Sequence, residues 1–260
     1  MSSGQPVILL PVILLHSSAG SSRQWERLRA ALEGSHRVMT ADLHGYGQTP
    51  MPALTDGFGL EDEVTLVEQA LEQAGEPAHL VGHSYGGAVA AKTALMFPAR
   101  VRSLFLHEPV LFHLLRLEGR REEWAEIRDR CAAVSKLVAE GRVSEGLEAF
   151  VDYWNGAGAY RSLAEPRRRD LDRTAPKLVL DFQALFEEKT PLAEFAGIQA
   201  PLSLSVGERT RPSARAVAEL LAGARGVQAP WVIDQAGHMA PITHAAQVNR
   251  LIVERLSPLR

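Results

Sequence analysis

Cysteine is almost absent: Cys131 is alone in 260 residues. A single thiol forms no intrachain disulfide and no cysteine-based zinc cluster, and it fits a reducing compartment. Positive charge is not in excess either. Lys and Arg number 28 against 31 Asp and Glu, a net charge of −3, so no broad basic field marks a nucleic-acid partner. No apolar run is long enough to span a bilayer. The stretch 7–15 comes nearest, but no Lys or Arg precedes it, Pro11 interrupts it and no small-residue cleavage site follows. It reads as buried strand rather than as a secretion signal. The expectation is a cytoplasmic protein without a membrane partner. Internal repeats, low-complexity tracts and flexible linkers are also missing. The histidines lack the helical i, i+4 spacing with a carboxylate partner that would mark a metal site, so no metal and no cofactor are expected.

What is present is the balance of an ordinary globular domain, 46% hydrophobic and 23% charged, with enough chain to bury a core and a pocket. Short apolar runs alternate with helical patterns in the first half. Strands are predicted at 12–15, 37–41, 79–82 and 101–107, and helices at 24–32, 60–74 and 88–97. The rhythm returns with strands at 201–206 and 230–233 and helices at 214–221 and 245–256. This β-α-β-α order implies a parallel sheet covered on both faces. From 111 to 190 no strand pattern is found. Helices are expected at 122–139 and 144–154, and one more across 168–186. The reading is one α/β core, 1–110 and 191–260, interrupted by a helical insertion.

Chemistry enters at Gly82-His83-Ser84-Tyr85-Gly86-Gly87, where a strand hands over to an Ala-rich helix. A serine hydroxyl is a weak nucleophile unless it is exposed, oriented and paired with a base. A sharp strand-to-helix turn provides the exposure. It forces the backbones together on either side of the serine, which accounts for Gly82 and Gly86. The following helix points its N-terminal N–H groups at the site, where they stabilise negative charge. Ser84 is therefore the candidate nucleophile. Its neighbour His83 is read as a structural residue, because adjacent side chains in such a turn diverge.

With these residues the chain resembles the α/β-hydrolase family, and the resemblance runs from Val12 to Leu256. It rests on the 82–87 motif, on the early strand ending at His16, on Asp42-Leu43-His44-Gly45-Tyr46-Gly47, and on Ala236-Gly237-His238. The resemblance implies a mostly parallel sheet with helices on both faces and an inserted helical cap. Because His16 lies so near the N-terminus, the sheet is expected to be trimmed at that edge. The resemblance further implies that His238, in the loop after the last strand, is the base. It assigns the oxyanion donors to the backbone N–H groups of Ser18 and Tyr85. Ser17 stands where the family's loop usually has glycine.

One element departs from the pattern. The family's acid usually follows the strand at 201–206 as Gly-x-x-Asp, but here the stretch is Gly207-Glu208-Arg209-Thr210, with Thr210 at the expected position. Two carboxylates compete. Glu208 is close in sequence, though flanked by Arg209 and Arg211. Glu108 follows the strand predicted to neighbour that of Ser84, and Pro109 gives it a sharp exit from the sheet. Glu108 is preferred, with Glu208 as the alternative.

Phe112, Trp124, Phe150, Tyr153, Trp154, Tyr160, Phe182 and Phe186 lie in the insertion. Phe112 and Trp154, with Ser17 and Trp25, are the candidate pocket residues. Arg167-Arg168-Arg169 is either an attraction for an anionic substrate or a solvated helix start. The expected function is serine-dependent hydrolysis of a carboxylic ester or related acyl bond in a small apolar molecule, through an acyl-enzyme. The same residues also permit carbon–carbon bond hydrolysis or a perhydrolase reaction. A non-catalytic small-molecule receptor on this fold is the reading from a different class.

Overall fold

The computed structural model describes residues 9–52 and 57–256. Six strands build one sheet: β1 (Leu10–Leu15), β2 (His36–Ala41), β3 (Ala78–His83), β4 (Val101–His107), β5 (Leu202–Gly207) and β6 (Trp231–Ile233). They lie in the order β2-β1-β3-β4-β5-β6, and every pairing is parallel. Residues 7 and 8 of the apolar stretch read as strand fall outside the described residues. Among the described residues β1 is the one strand before His16.

Thirteen helices are described: α1 (Glu26–Leu32), α2 (Leu60–Ala74), α3 (Tyr85–Met96), α4 (His113–Leu117), α5 (Arg121–Ala139), α6 (Val143–Asn155), α7 (Ala159–Ser162), α8 (Glu165–Arg173), α9 (Ala175–Glu187), α10 (Leu192–Ala196), α11 (Pro212–Arg225), α12 (Ala240–Thr243) and α13 (Ala245–Leu256). The segment 111–190 holds α4 to α9 and no described strand. The single helix expected at 168–186 is two. Its pattern breaks at Thr174, because Pro176 has no N–H to continue a helical ladder and instead sits in the first turn of α9. His244 caps α12 just before α13.

Strand side chains alternate between two cores, as a period of two requires. Ile13, Leu15, Leu80, Leu104 and Leu106 pack with α2, α3 and α11. Val12, Leu14, Val81 and Phe105 pack with α1 and α13 on the opposite face. Both faces are thus buried, which is why the strands read as continuous apolar runs. The polar ends of β1, β3, β4 and β6 gather at one edge of the sheet, where open α/β sheets bind their ligands.

Candidate active site

Ser84 sits at the junction of β3 and α3 with φ 57 and ψ −120, a left-handed conformation that a non-glycine residue holds at a cost of about 1–3 kcal/mol. The surroundings enforce it. A Cβ on Gly82 would lie 2.5 Å from the Gly86 carbonyl, and one on Gly86 would lie 2.4 Å from the His16 carbonyl. Ser84 N–H donates to His107 O at 3.0 Å, and Gly86 N–H donates to His16 O at 3.1 Å. The turn is therefore pinned to β4 on one side and to the end of β1 on the other, which presents Ser84 Oγ above the sheet edge.

His238 reaches this oxygen from the loop after β6. Its Nε2 lies 2.9 Å from Ser84 Oγ, and its Nδ1 lies 2.5 Å from Glu108 Oε2. The His238 backbone is fixed from behind: His83 Nε2–H donates to the His238 carbonyl at 2.9 Å. His83 itself is fully buried and lies between His107 and His238, with ring centroids at 5.3 and 5.0 Å and planes tilted by 53° and 47°.

Glu108 leaves β4 with φ 44, a turn that aims its carboxylate along the sheet edge. It is fully buried and well supplied with donors. Gly207 N–H donates to Oε1 at 2.6 Å, and Thr210 Oγ–H donates to Oε2 at 2.5 Å. Thr210, at the position where the family places its acid, supplies a hydroxyl to the carboxylate that arrives from the neighbouring strand. Glu208 turns elsewhere. It is exposed, and its Oε2 accepts the Gln235 N–H at 2.8 Å.

Burial works against the Glu108 charge, but His238, His107 and the Gly207 N–H outweigh it and hold its pKa near 2, below the ordinary 4.5. Burial pushes the pKa of His107 down from 6.5 to about 4. Both shifts are downward, so the stability each contributes is complete above the unfolded pKa and is lost as pH falls. His107 acts between about 6.5 and 4, and Glu108 between about 4.5 and 2. Acidification from pH 7 to 4 is expected to remove about 3 kcal/mol through His107 alone. Urea unfolding midpoints across that range test this, with His107→Asn expected to flatten the curve.

The Tyr85 N–H opens α3, where no intrahelical acceptor exists, and neither it nor the Ser18 N–H finds an acceptor among the described residues. The loop carrying Ser18 is shaped by His16, whose Nδ1–H donates to Ser17 O at 2.7 Å while its Nε2 accepts the Leu43 N–H at 3.0 Å.

The pocket candidates separate. Trp154, at the end of α6, lies across the His238 ring with centroids 3.9 Å apart and planes at 30°. Ser17 is buried, its N–H and Oγ–H both directed at Gln24 Oε1, and it borders a cavity of about 460 Å³ that Ser18, Arg167 and Met239 also line. Trp25 does not border the site. It packs with Val12, Leu14 and Leu28 on the α1–α13 face of the sheet, a side that helical spacing alone does not reveal. Phe112 packs against Phe186, with centroids 6.3 Å apart, and Phe150 against Phe182 at 5.8 Å. Most of the aromatics of 111–190 thus satisfy one another, and Trp154 is the one whose ring meets the His238 imidazole. Within the basic run, Arg168 donates to the Arg161 and Leu163 carbonyls, Arg169 pairs with Glu165, and Arg167 lines the cavity.

Sequence reasoning missed a buried cluster beside the site: Glu63 on α2 with Lys177 and Asp181 on α9, all fully buried. Lys177 and Asp181 are four residues apart, a spacing that reads as a surface ion pair. Among the described residues no group of three or more His, Cys, Asp or Glu side chains is arranged to hold a metal ion. No described helix is long and apolar enough to cross a membrane.

Comparison with known proteins gives consistent results. The model of a family described as "Alpha/beta hydrolase family" matches residues 12–251. The chain is 25% identical over 259 residues to the pimeloyl-[acyl-carrier protein] methyl ester esterase of Aeromonas hydrophila, covering 93% of each chain. It is 36% identical over 107 residues to the human (lyso)-N-acylphosphatidylethanolamine lipase, covering 40% of this chain and 31% of the lipase. Matches to other curated relatives are also local, spanning 36% or 52% of the relative's length. The crystal structure of the enol-lactonase from Burkholderia xenovorans shares the fold, with a TM-score of 0.73 at 18% identity over 96% of this chain and 92% of that one.

Proposed function

The chain belongs to the alpha/beta hydrolase family, and from that membership we propose that it is a serine-dependent hydrolase of a carboxylic ester or related acyl bond, acting through an acyl-enzyme on Ser84. The observation that carries the reading is the relay from Ser84 Oγ to His238 Nε2 at 2.9 Å and from His238 Nδ1 to Glu108 Oε2 at 2.5 Å. An ionised carboxylate only accepts, so Glu108 keeps the proton on Nδ1 and leaves Nε2 free to take the Ser84 proton.

Ser84 Oγ attacks the acyl carbon as its proton passes to His238. Glu108 stabilises the imidazolium, and the N–H groups of Ser18 and Tyr85 receive the developing oxyanion. His238 then protonates the leaving group as the tetrahedral intermediate collapses. A water molecule, deprotonated by the same histidine, releases the acid and restores Ser84. The relatives named esterase and lipase favour an acyl bond. Limited access favours a small substrate: Ser84 is only 7% exposed, and Trp154 offers an apolar face across His238.

A fluorophosphonate probe is expected to label the wild-type protein and not Ser84→Ala. A panel of p-nitrophenyl esters of rising chain length is expected to show highest kcat/KM for short acyl groups. An unlabelled wild type, or equal labelling of both proteins, would end this reading.

A further inference from the structure

The buried cluster of Glu63, Lys177 and Asp181 has no part in the relay, yet it touches the side chains of both residues assigned as oxyanion donors. Asp181 Oδ2 accepts Ser18 Oγ–H at 2.6 Å and Tyr46 O–H at 2.6 Å. Glu63 Oε1 lies 3.4 Å from the Tyr85 hydroxyl, which donates to it, and Glu63 Oε2 accepts the His44 N–H at 3.0 Å. Lys177 joins the two carboxylates, with its Nζ 2.8 Å from Glu63 Oε1 and paired directly with Asp181 Oδ1. Its ammonium also lies 4.8 to 4.9 Å from the ring centroids of Tyr46, Phe58 and Tyr85.

Such a cluster is a poor means of gaining stability. Three charges out of water lose their hydration, and apolar side chains of similar volume commonly do as well or better. What it supplies instead is fixed direction. Burial, and then the Asp181 charge, raise the pKa values of the Tyr46 and Tyr85 phenols well above the ordinary range, so both stay protonated as donors. Burial opposes the Lys177 ammonium, but Asp181 and Glu63 outweigh it and keep it charged. The polar network is satisfied in one arrangement, and that arrangement sets the Ser18 turn and the Tyr85 end of α3 at once.

The elements involved give the arrangement a consequence. Glu63 stands on α2 and Tyr85 on α3, beside the sheet, whereas Lys177 and Asp181 belong to α9 in the segment 111–190. We propose that Lys177 and Asp181 are positioning residues for the oxyanion hole, so that the hole is aligned only while α9 is seated against the sheet core. This rests on the assignment of the Ser18 and Tyr85 N–H groups as oxyanion donors. Hydrolysis then depends on the placement of the helical segment even though no side chain of α9 takes part in the chemistry.

Ser18→Ala isolates the tie, because it keeps the backbone N–H and removes only the hydroxyl that Asp181 holds. Removing an oxyanion donor outright lowers kcat by about 100- to 1,000-fold, so loosening one is expected to lower it by about 10- to 100-fold. KM for a p-nitrophenyl ester and the melting temperature should stay near wild type, and the rate of fluorophosphonate labelling should fall with kcat. Ser18→Thr, which keeps the hydroxyl, is expected to restore the rate. Asp181→Ala is expected to lose at least as much kcat per labelled site. Labelling that depends on Ser84 but proceeds at wild-type rate in Ser18→Ala and Asp181→Ala overturns the positioning role and leaves the nucleophile assignment standing. Absence of labelling in the wild type overturns both.

Discussion

Glu108→Gln is expected to lower kcat for ester hydrolysis by about 1,000- to 10,000-fold, the scale seen when a triad carboxylate is exchanged for its amide. The carboxylate accepts from three donors: His238 Nδ1–H, Gly207 N–H and Thr210 Oγ–H. An amide has one oxygen to accept with, and its NH2 must replace the other. If the NH2 faces His238, it donates to Nδ1 and drives the ring proton to Nε2, the nitrogen that must receive the Ser84 proton. If it faces Gly207, it meets the backbone N–H there. The first orientation breaks the relay, and the second leaves two donors facing each other at Gly207 and no negative charge to stabilise the imidazolium; neither removes volume, so the loss should appear in kcat with KM little changed. Glu208→Gln provides the contrast. Glu208 is exposed and is held by Gln235 rather than by His238, so its exchange should leave kcat within about twofold of wild type. Parallel steady-state kinetics of the two variants decide between the carboxylates. Wild-type turnover in Glu108→Gln with a large loss in Glu208→Gln would reverse the assignment.

How far the site could be read from the sequence depended on the range over which each residue's role is set. The turn at Ser84 is a short-range object. Gly82 and Gly86 are small because backbone atoms come within 2.4 to 2.8 Å of where their Cβ atoms would stand, and that constraint is written in six consecutive residues. The strands were legible for a related reason, since burial on both faces makes each an unbroken apolar run. Glu108 was harder. Its candidacy needed β4 placed beside β3, an inference about topology. The three donors that hold it come from Gly207, Thr210 and His238, the last of them 130 positions away. Thr210 in particular reads as a missing aspartate until the neighbouring strand is seen to deliver the carboxylate. Trp25 packs with Val12, Leu14 and Leu28, and its place just after the Ser17–Ser18 loop does not say on which side of the sheet it lies. Lys177 and Asp181 were invisible because an i, i+4 pair on a helix is normally solvated. Only the packing of α9 over α2 and α3 turns it into an interior cluster.

Ser84→Ala and His238→Ala are each expected to lower kcat by about five to six orders of magnitude, and the double variant should be no worse than either alone. The reason is mechanical. With Nε2 2.9 Å from Oγ, the histidine has a catalytic task only if the serine is present to give up a proton. The serine in turn is a poor nucleophile without that acceptor. The two free energies therefore describe one event, and adding them would count it twice. A receptor that merely retained these residues would show no turnover above background for either variant to lose, and the double variant would differ from wild type in ligand affinity alone. The residual rate in the double variant should still exceed that of water. The N–H groups proposed as the oxyanion hole, those of Ser18 and Tyr85, remain in place and are expected to stabilise the oxyanion of a direct attack by hydroxide. Adding Ser18→Ala to the double variant should then lower that remainder further, since it acts on the oxyanion and not on the relay. A remainder unchanged by Ser18→Ala would mean that the Ser18 hydroxyl and its tie to Asp181 do not position the oxyanion hole.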